Sequence, residues 1–437
     1  MIGSGFPSLA FHPTSIPFVT VKILIIGSGG REHALAWKVR QSPRVTDVIV
    51  LPENGGTGRF SQISISDMRN IRDFAYSEGI DLTIVGPDDF LANGIVDRFQ
   101  EAGLRIFGPT AKAAQLESSK IFAKEFMKRH GIPTARFDQF TNPSEARKFA
   151  AGLELPLVIK ADGLALGKGV LIAQNRMEVE SGISRLMEQR EFGDAGAAIV
   201  IEEFLTGQEC SVHALVDGDS YILFPGAQDH KRAFDGDLGP NTGGMGTCSP
   251  VPIFDAAMEE QIRREVMEPF IAGIRADGID FQGMLFPGLM ITSDGPKVLE
   301  FNCRFGDPET QVLLPRLKTD LVDLLEATID RRLNTMEVEW DSRAAVCVVM
   351  ASGGYPGTYA KGFPIHGIAD ATDSGALVFH AGTSHINGET VTSGGRVLGV
   401  TALAETVAAA REKAYRAVEK IRFQDQFFRK DIGIKSI

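Results

Sequence analysis

Glu300 and Asn302 stand two residues apart in Lys297-Val-Leu-Glu-Phe-Asn302, an otherwise apolar run that reads as a strand leading into a turn. Simple alternation puts Leu299 and Phe301 on one face and Val298, Glu300 and Asn302 on the other. At ~3.3 Å per residue the two oxygen-bearing side chains lie about 7 Å apart on one side of the sheet. That pair suits a hard cation bridged to phosphate, although a wet strand end would account for Glu-x-Asn taken alone. The turn behind it adds Arg304, Asp307 and Glu309 around Gly306 and Pro308. Such crowding of charge is costly unless the charges have partners.

Other stretches also face anions. Gly27-Ser-Gly-Gly-Arg-Glu32 follows an apolar strand and begins like a dinucleotide fingerprint, but Glu32 stands where the third glycine belongs, which makes it weak as a nicotinamide site. What survives is a helix N-terminus whose backbone N–H groups can hold a phosphate, with a merely structural tight turn as the other reading. Gly86-Pro-Asp-Asp89 and Gly108-Pro109 end later strands of the same sheet, on the carboxyl edge where ligands of open α/β sheets bind. Lys160-Ala-Asp-Gly-Leu-Ala-Leu-Gly-Lys-Gly169 lacks the Walker spacing, because Val170 follows it. Its glycines let a hairpin loop approach a triphosphate and move as a flap. Lys160, at the end of an apolar strand, calls for an anionic partner. Glu202-Glu-Phe-Leu205 offers a strand end able to read an adenine edge, with Glu209 beyond it for ribose hydroxyls. Asp229-His-Lys-Arg232 and Pro240-Asn-Thr-Gly-Gly-Met-Gly246 read as a mobile loop with charged anchors that closes on substrate. His230 alone is not assigned as a base.

The elements that must position these residues alternate strand and helix from Val21 to Pro109, the rhythm of a doubly wound parallel sheet. A hairpin, antiparallel strands and a helix over Asp255–Ala276 follow. Leu317–Arg331 reads as one helix, and short glycine-rich strands run from Arg343 to a closing helix. At 437 residues the chain exceeds one core, and roughly two to four domains are expected. They are drawn at 1–20 (an extension expected to lack order), 21–120 (substrate-binding α/β), 121–342 (with a mobile lid at about 137–207) and 343–437 (mixed, glycine-rich). Apolar residues at 43% and charged residues at 23% are ordinary for a soluble globular protein. A net charge of −11 argues against a general nucleic-acid or acidic-membrane binder. Four cysteines without a C-x-x-C pair fit reduced thiols in a cytoplasm. No apolar run approaches the ~20 residues that span a bilayer. Residues 1–20, with Pro7, Pro13 and Pro17 and no basic n-region, make a poor signal peptide.

Taken together, these motifs resemble the ATP-grasp superfamily and, within it, the phosphoribosylamine–glycine ligase family. The likeness rests on Ile26–Ala34, Lys160–Gly169, Val200–Leu205, Gln228–Arg232, Gly239–Gly246 and Glu300–Thr310, in the family's order from Val21 onward. The resemblance implies an N-terminal pre-ATP-grasp sheet, an ATP-grasp central domain with lid, and a small mixed α/β C-terminal domain. It also implies a ligase that joins glycine to 5-phosphoribosylamine through glycyl phosphate, using ATP and Mg²⁺, with Mn²⁺ as a substitute. Glu300 and Asn302 would hold the metal. Lys120, Lys160, Gly167, Lys168, Gly169, Glu202, Glu203, Leu205 and Glu209 would bind the nucleotide. Arg304, Asp307, Asp229 and Lys231 would serve the chemistry, with Asp229 and Asp307 meeting a substrate amine. Ser28, Gly29, Gly30, Asp88, Asn241, Thr242 and Gly243 would bind substrate. The resemblance also implies a cytoplasmic monomer with small-molecule substrates and no nucleic-acid or membrane partner. This chain departs from the family at Leu166, where Ala is usual, and at Gly86-Pro-Asp-Asp-Phe90, where Gly-Pro-Glu-x-Pro is usual. Phe286-Pro287-Gly288 stands in place of a Tyr-Ala-Gly-like segment. The alternatives are another ATP-grasp carboxylate–amine ligase or carboxylase of purine metabolism and, in a different class, a non-catalytic nucleotide-binding module. The latter would be expected to lack Lys160, Glu300 or Asn302.

Overall fold

A computed structural model describes residues 20–58, 67–163 and 169–437. The expectations for the extension, Leu166, Gly167 and Lys168 lie outside the described residues, apart from Thr20 at the end of that extension.

Apolar runs such as Ile23–Ile26 and Val48–Leu51 build the first sheet. In chain order come β1 (Val21–Ile26), α1 (Gly30–Val39), β2 (Val45–Leu51), α2 (Met68–Ser77), β3 (Leu82–Val85), α3 (Asp88–Ala92), α4 (Ile95–Glu101) and β4 (Ile106–Phe107). The strands pair in parallel in the order β2-β1-β3-β4. Ile23 and Ile25 face Leu35 and Val39 of α1, while Leu24 and Ile26 face Ile71 and Phe99 on the other side. Both faces are covered, as parallel sheets require. The turns at Gly27–Gly30 and Gly86–Asp88 therefore share its carboxyl edge.

Next come α5 (Ala111–Ser118) and α6 (Lys120–His130), capped by Thr110 and Ser119, whose hydroxyls accept from Ala113 N–H and Phe122 N–H. The lid is built from β5 (Phe137–Phe140), α7 (Pro143–Ala151), β6 (Leu157–Ala161), β7 (Val170–Ala173), α8 (Arg176–Ile183) and β8 (Ile199–Glu203). Its sheet is antiparallel, β5-β8-β6-β7, over a separate core of Leu157, Ile159, Ile183, Leu186 and Ile201. Strands β9 (Gln208–Ser211), β10 (Ala214–Val216), β11 (Tyr221–Leu223), β12 (Gln228–Asp229), β13 (Arg232–Phe234), β14 (Leu238–Asn241) and β15 (Gly246–Ser249) follow. The helical stretch α9 (Ala256–Ile262) to α10 (Glu268–Ala276) is continuous through a π turn and leads into β16 (Gly283–Thr292) and β17 (Gly295–Asn302). The central sheet runs β11-β10-β16-β17, with β9 also on β16.

The single helix expected over Leu317–Arg331 is two, α11 (Thr310–Arg316) and α12 (Leu321–Ile329). Leu317 leaves helical geometry to bridge Trp340, and the Asp320 carboxylate restarts the helix by accepting from Val322 N–H.

The C-terminal region contributes β18 (Ala344–Ser352), α13 (Ile368–Asp373), β19 (Leu377–His380), β20 (Thr383–Ile386), β21 (Glu389–Thr392), β22 (Arg396–Ala404) and α14 (Val407–Val418). Its main sheet is β12-β15-β18-β22-β19, so Gln228–Asp229 and Gly246–Ser249 join a sheet otherwise made downstream of residue 343. The same region meets the first sheet at a polar joint. His380 N–H donates to His33 Nδ1 at 2.8 Å, and the Asn54 amide donates to both Ser28 O and His380 O at 2.8 and 2.9 Å. Phe379 stands edge-on to Trp37 and His33.

Burial, helped by His380 and Arg40, lowers the His33 pKa to about 3, and burial with His385 lowers that of His380 to about 4. Both rings stay neutral in the folded protein at pH values where the unfolded chain, near 6.5, takes up protons. Their contribution to stability is therefore full above about pH 6.5 and falls as pH drops from there toward 3. Urea titrations across this window should show the loss, and His33→Gln should flatten its slope. Equal slopes would place the loss elsewhere.

Candidate active site

A cleft of about 940 Å³ lies between the lid and the central sheet. On its lid side, Lys160 at the end of β6 and Lys124 of α6 approach one carboxylate, Glu202, at 3.0 and 3.1 Å. All three are nearly fully buried. Burial pulls the Lys124 pKa down to about 8 against the pull of Glu202. Lys120, the first residue of α6, donates to Gly163 O at 3.0 Å, and burial lowers its pKa. The neighbouring Asp162 carboxylate accepts from Ser119 Oγ and Ile121 N–H. The base of the flap is thereby tied to the start of α6. Gly169 and Leu205 line the cleft. Glu203 accepts from Arg136 N–H at 2.9 Å, and Glu209 pairs with Lys231 at 3.0 Å.

Across the cleft, β17 does not alternate as expected. Glu300 pairs with Gly288 and Val298 with Leu289, leaving Leu299 as the extra residue of a β-bulge. Val298 and Phe301 both enter the core, although simple alternation put them on opposite faces. Leu299 and Glu300 are both partly exposed and line the cleft, as does Asn302. The Leu299 carbonyl accepts from the Lys160 ammonium at 3.1 Å.

Burial alone would push the Glu300 pKa up, but Lys231, Lys160, Lys120 and Arg304 together hold it below the ordinary glutamate value. Asn302 is oriented at both ends: Nδ2 donates to Phe286 O and Oδ1 accepts from Arg304 Nη2 at 3.2 Å. Among the described residues no group of three or more His, Cys, Asp or Glu could cage a metal. An ionised carboxylate and an amide oxygen fit Mg²⁺, which keeps waters and takes its other ligands from phosphates. Arg304 is set by Glu117 at 3.1 Å, whose other oxygen accepts from Cys303 N–H. Its buried Nε has no hydrogen-bond partner among the described residues.

At the far end, Asp307 lines the cleft with each carboxylate oxygen already bonded within the protein. One oxygen accepts from Gln311 Nε2 at 2.7 Å and the other pairs with Arg396 at 3.1 Å. Burial opposes ionisation of Asp307, but Arg396 and Arg31 keep its pKa low. Asp229 is the opposite case. Its buried Oδ1 has no partner among the described residues, and burial together with Glu309 raises its pKa well above the ordinary value. Asn241, Thr242, Gly243 and Asp88 also line the cleft. Thr242 is pinned by N–H and hydroxyl bonds to Lys231 O, both at 2.8 Å.

The Gly27–Gly30 turn carries a correction. Gly29 N–H donates to Glu32 Oε2 at 2.6 Å, and the buried Glu32 carboxylate also accepts from Arg31 Nε. The chain's own anion takes this donor, so Gly29 N–H is not free for substrate. Ser28 O accepts from Asn54, and Gly30 opens α1 against Gln311.

The sequence reading did not pick out Glu117, Lys124, Gln311, Tyr355 or Arg396 as site residues, and it left Glu309 outside the site. Only Lys124 carried a local signal, one helical turn after Lys120.

A lid of antiparallel strands over buried lysines, facing a carboxylate–amide pair at a strand end, defines an ATP-grasp enzyme. Sequence models described as the phosphoribosylglycinamide synthetase N domain, ATP-grasp (A) domain and C domain match residues 21–117, 118–310 and 345–435. A phosphoribosylamine–glycine ligase from Ralstonia nicotianae is 51% identical over 95% of this chain and 100% of its own length. The crystal structure of phosphoribosylamine–glycine ligase from Thermotoga maritima aligns over 94% of this chain and all of its own, with TM-score 0.81 and 35% identity. A Campylobacter jejuni biotin carboxylase, covering 94% of this chain and 93% of its own at TM-score 0.70 and 15% identity, shares the fold alone. The chain belongs to the phosphoribosylglycinamide synthetase family.

Glu202→Gln would leave two buried ammonium groups without their counter-charge. The expected loss is about 3–5 kcal/mol of stability, measured by urea unfolding. A loss within about 1 kcal/mol, the value of an exposed pair, would show that this triad is not a buried charge system.

Proposed function

We propose that this chain joins glycine to 5-phosphoribosylamine at the expense of ATP, giving glycinamide ribonucleotide, ADP and phosphate. The observation that carries the reading is Glu300, kept ionised by Lys231, Lys160, Lys120 and Arg304 at the cleft. A carboxylate does not acylate an amine in water. Its oxygen must first attack the γ-phosphorus, releasing ADP and forming glycyl phosphate. The amine of phosphoribosylamine then attacks the acyl carbon, phosphate leaves with the C–O bonding pair, and the nitrogen gives up one proton. Both steps depend on positioning and charge neutralisation more than on a protein nucleophile.

In this reading Lys120 and Lys160 hold phosphates under the flap, joined there by Gly167, Lys168 and Gly169. Glu202, Glu203, Leu205 and Glu209 bound the nucleoside. Glu300 and Asn302 would hold Mg²⁺, or Mn²⁺ in its place, which would supply positive charge against the phosphates. Arg304 neutralises the transferring phosphoryl group. Asp229, with an unpartnered oxygen, meets a substrate amine, and Lys231 balances charge beside it. Asp307, held by Gln311 and Arg396, lies beside it and meets the amine together with Asp229. Ser28, Gly30, Asp88 and Asn241–Gly243 border the substrates. The domain limits given above, a monomeric state and a cytoplasmic location belong to the same proposal. Among the described residues no helix is long and apolar enough to cross a membrane.

Purified protein should release phosphate from ATP only when glycine, phosphoribosylamine and Mg²⁺ are all present. Equal release without the amine, or none with it, would overturn the assignment. Glu300→Gln should lower kcat/KM by about 100-fold or more and raise the metal concentration needed for half-maximal rate. An unchanged metal requirement would show that Glu300 does not hold the metal.

A further inference from the structure

Arg396 opens β22 in the C-terminal sheet, yet its guanidinium reaches two segments that border the cleft. Nη1 donates to Gly243 O at 2.6 Å and to Asp307 O at 2.8 Å, while Nη2 pairs with the Asp307 carboxylate at 3.1 Å. Gly243 is held from its other side as well, because its N–H donates to the Tyr355 hydroxyl at 3.1 Å. The backbone is shaped for this arrangement. A Cβ on Gly395 would lie 2.2 Å from the Tyr355 ring, and one on Gly382 would lie 2.5 Å from the Gly394 Cα. Ser352 fixes the same strand start by donating from N–H to Gly395 O and from Oγ to Gly394 O. Gly243 and Asp307 are therefore bridged by Arg396, 153 residues from Gly243, and Gly243 is held as well by Tyr355, 112 residues away.

We infer that Arg396 and Tyr355 are positioning residues that set the acceptor end of the cleft, making the C-terminal region part of the catalytic unit. This rests on the reaction proposed above for its kinetic readout, but not for its structural one. A planar guanidinium can bridge the Gly243 carbonyl and both Asp307 groups at once, whereas an ammonium on a flexible stem cannot hold that fork. The nucleotide end, built on Lys160, Glu202 and Leu205, has no bond to this clamp among those described.

The test uses the full chain carrying Arg396→Lys or Tyr355→Phe. In Arg396→Lys, kcat/KM for glycine and phosphoribosylamine should fall by about 10–100-fold, with KM for ATP within about twofold of wild type. Tyr355→Phe should show the same split at about 2–5-fold. Amide hydrogen exchange over residues 241–246 should quicken in both variants while that of β6 and β8 stays unchanged. Unchanged exchange over 241–246 overturns the clamp whatever the reaction proves to be. A parallel rise in KM for ATP, or faster exchange throughout, assigns Arg396 a merely structural role and also overturns it. A wild type that turns over ATP without glycine or amine overturns the reaction instead, and the exchange measurement then decides the clamp alone.

Discussion

A site for a polyanion has to keep cations out of water before the polyanion arrives, and an unpaired buried ammonium is unstable. Here the cations at the cleft among the described residues are supplied with a protein counter-charge or carbonyl. Glu202 serves Lys124 and Lys160, Glu209 serves Lys231, Glu117 serves Arg304, and Gly163 O takes Lys120. These partners come from the lid, the α5–α6 segment and the central sheet, so the charge balance holds these parts in register. The same cations draw the Glu300 proton away, which makes the metal-facing carboxylate a product of the arrangement as a whole.

Much of the fold is legible in the sequence where burial is two-sided. Ile23–Ile26 of β1 and Val48–Leu51 of β2 are apolar without a break because both faces are covered. The lid's first strand, Phe-Asp-Gln-Phe, is half exposed and gives no such signal, so β5 and α7 escape a sequence reading. The break between α11 and α12 escapes it for another reason. Leu317 is apolar and helix-compatible, and only its pairing with distant Trp340 takes it out of the helix.

The candidate site divides in the same way. Glycine loops and strand-end charges announce themselves locally, and the cleft gathers Lys120, Lys160, Glu202, Glu209, Glu300, Asn302 and Arg304. Residues that orient these groups are chosen by three-dimensional proximity alone. Glu117 reaches Cys303 across 186 residues, and nothing near Glu117 marks it as special. The fingerprint-like turn misleads in an instructive way. The amide that would greet a phosphate greets Glu32, the residue whose presence already spoiled the fingerprint.

The bulge at Leu299 changes what kind of variation this chain can absorb. Facing in a strand is a matter of counting, and one extra residue reverses the parity of everything beyond it. Val298 can become Ile and Leu299 can become Met with little consequence for direction. Losing Leu299 would leave Val298, Glu300 and Phe301 in plain alternation, with both apolar residues still on the core side, but would remove the carbonyl that accepts from Lys160. The extra residue thus serves the lid more than the facing of the strand, and relatives with a gap here should be ones whose lid lysine has found another carbonyl.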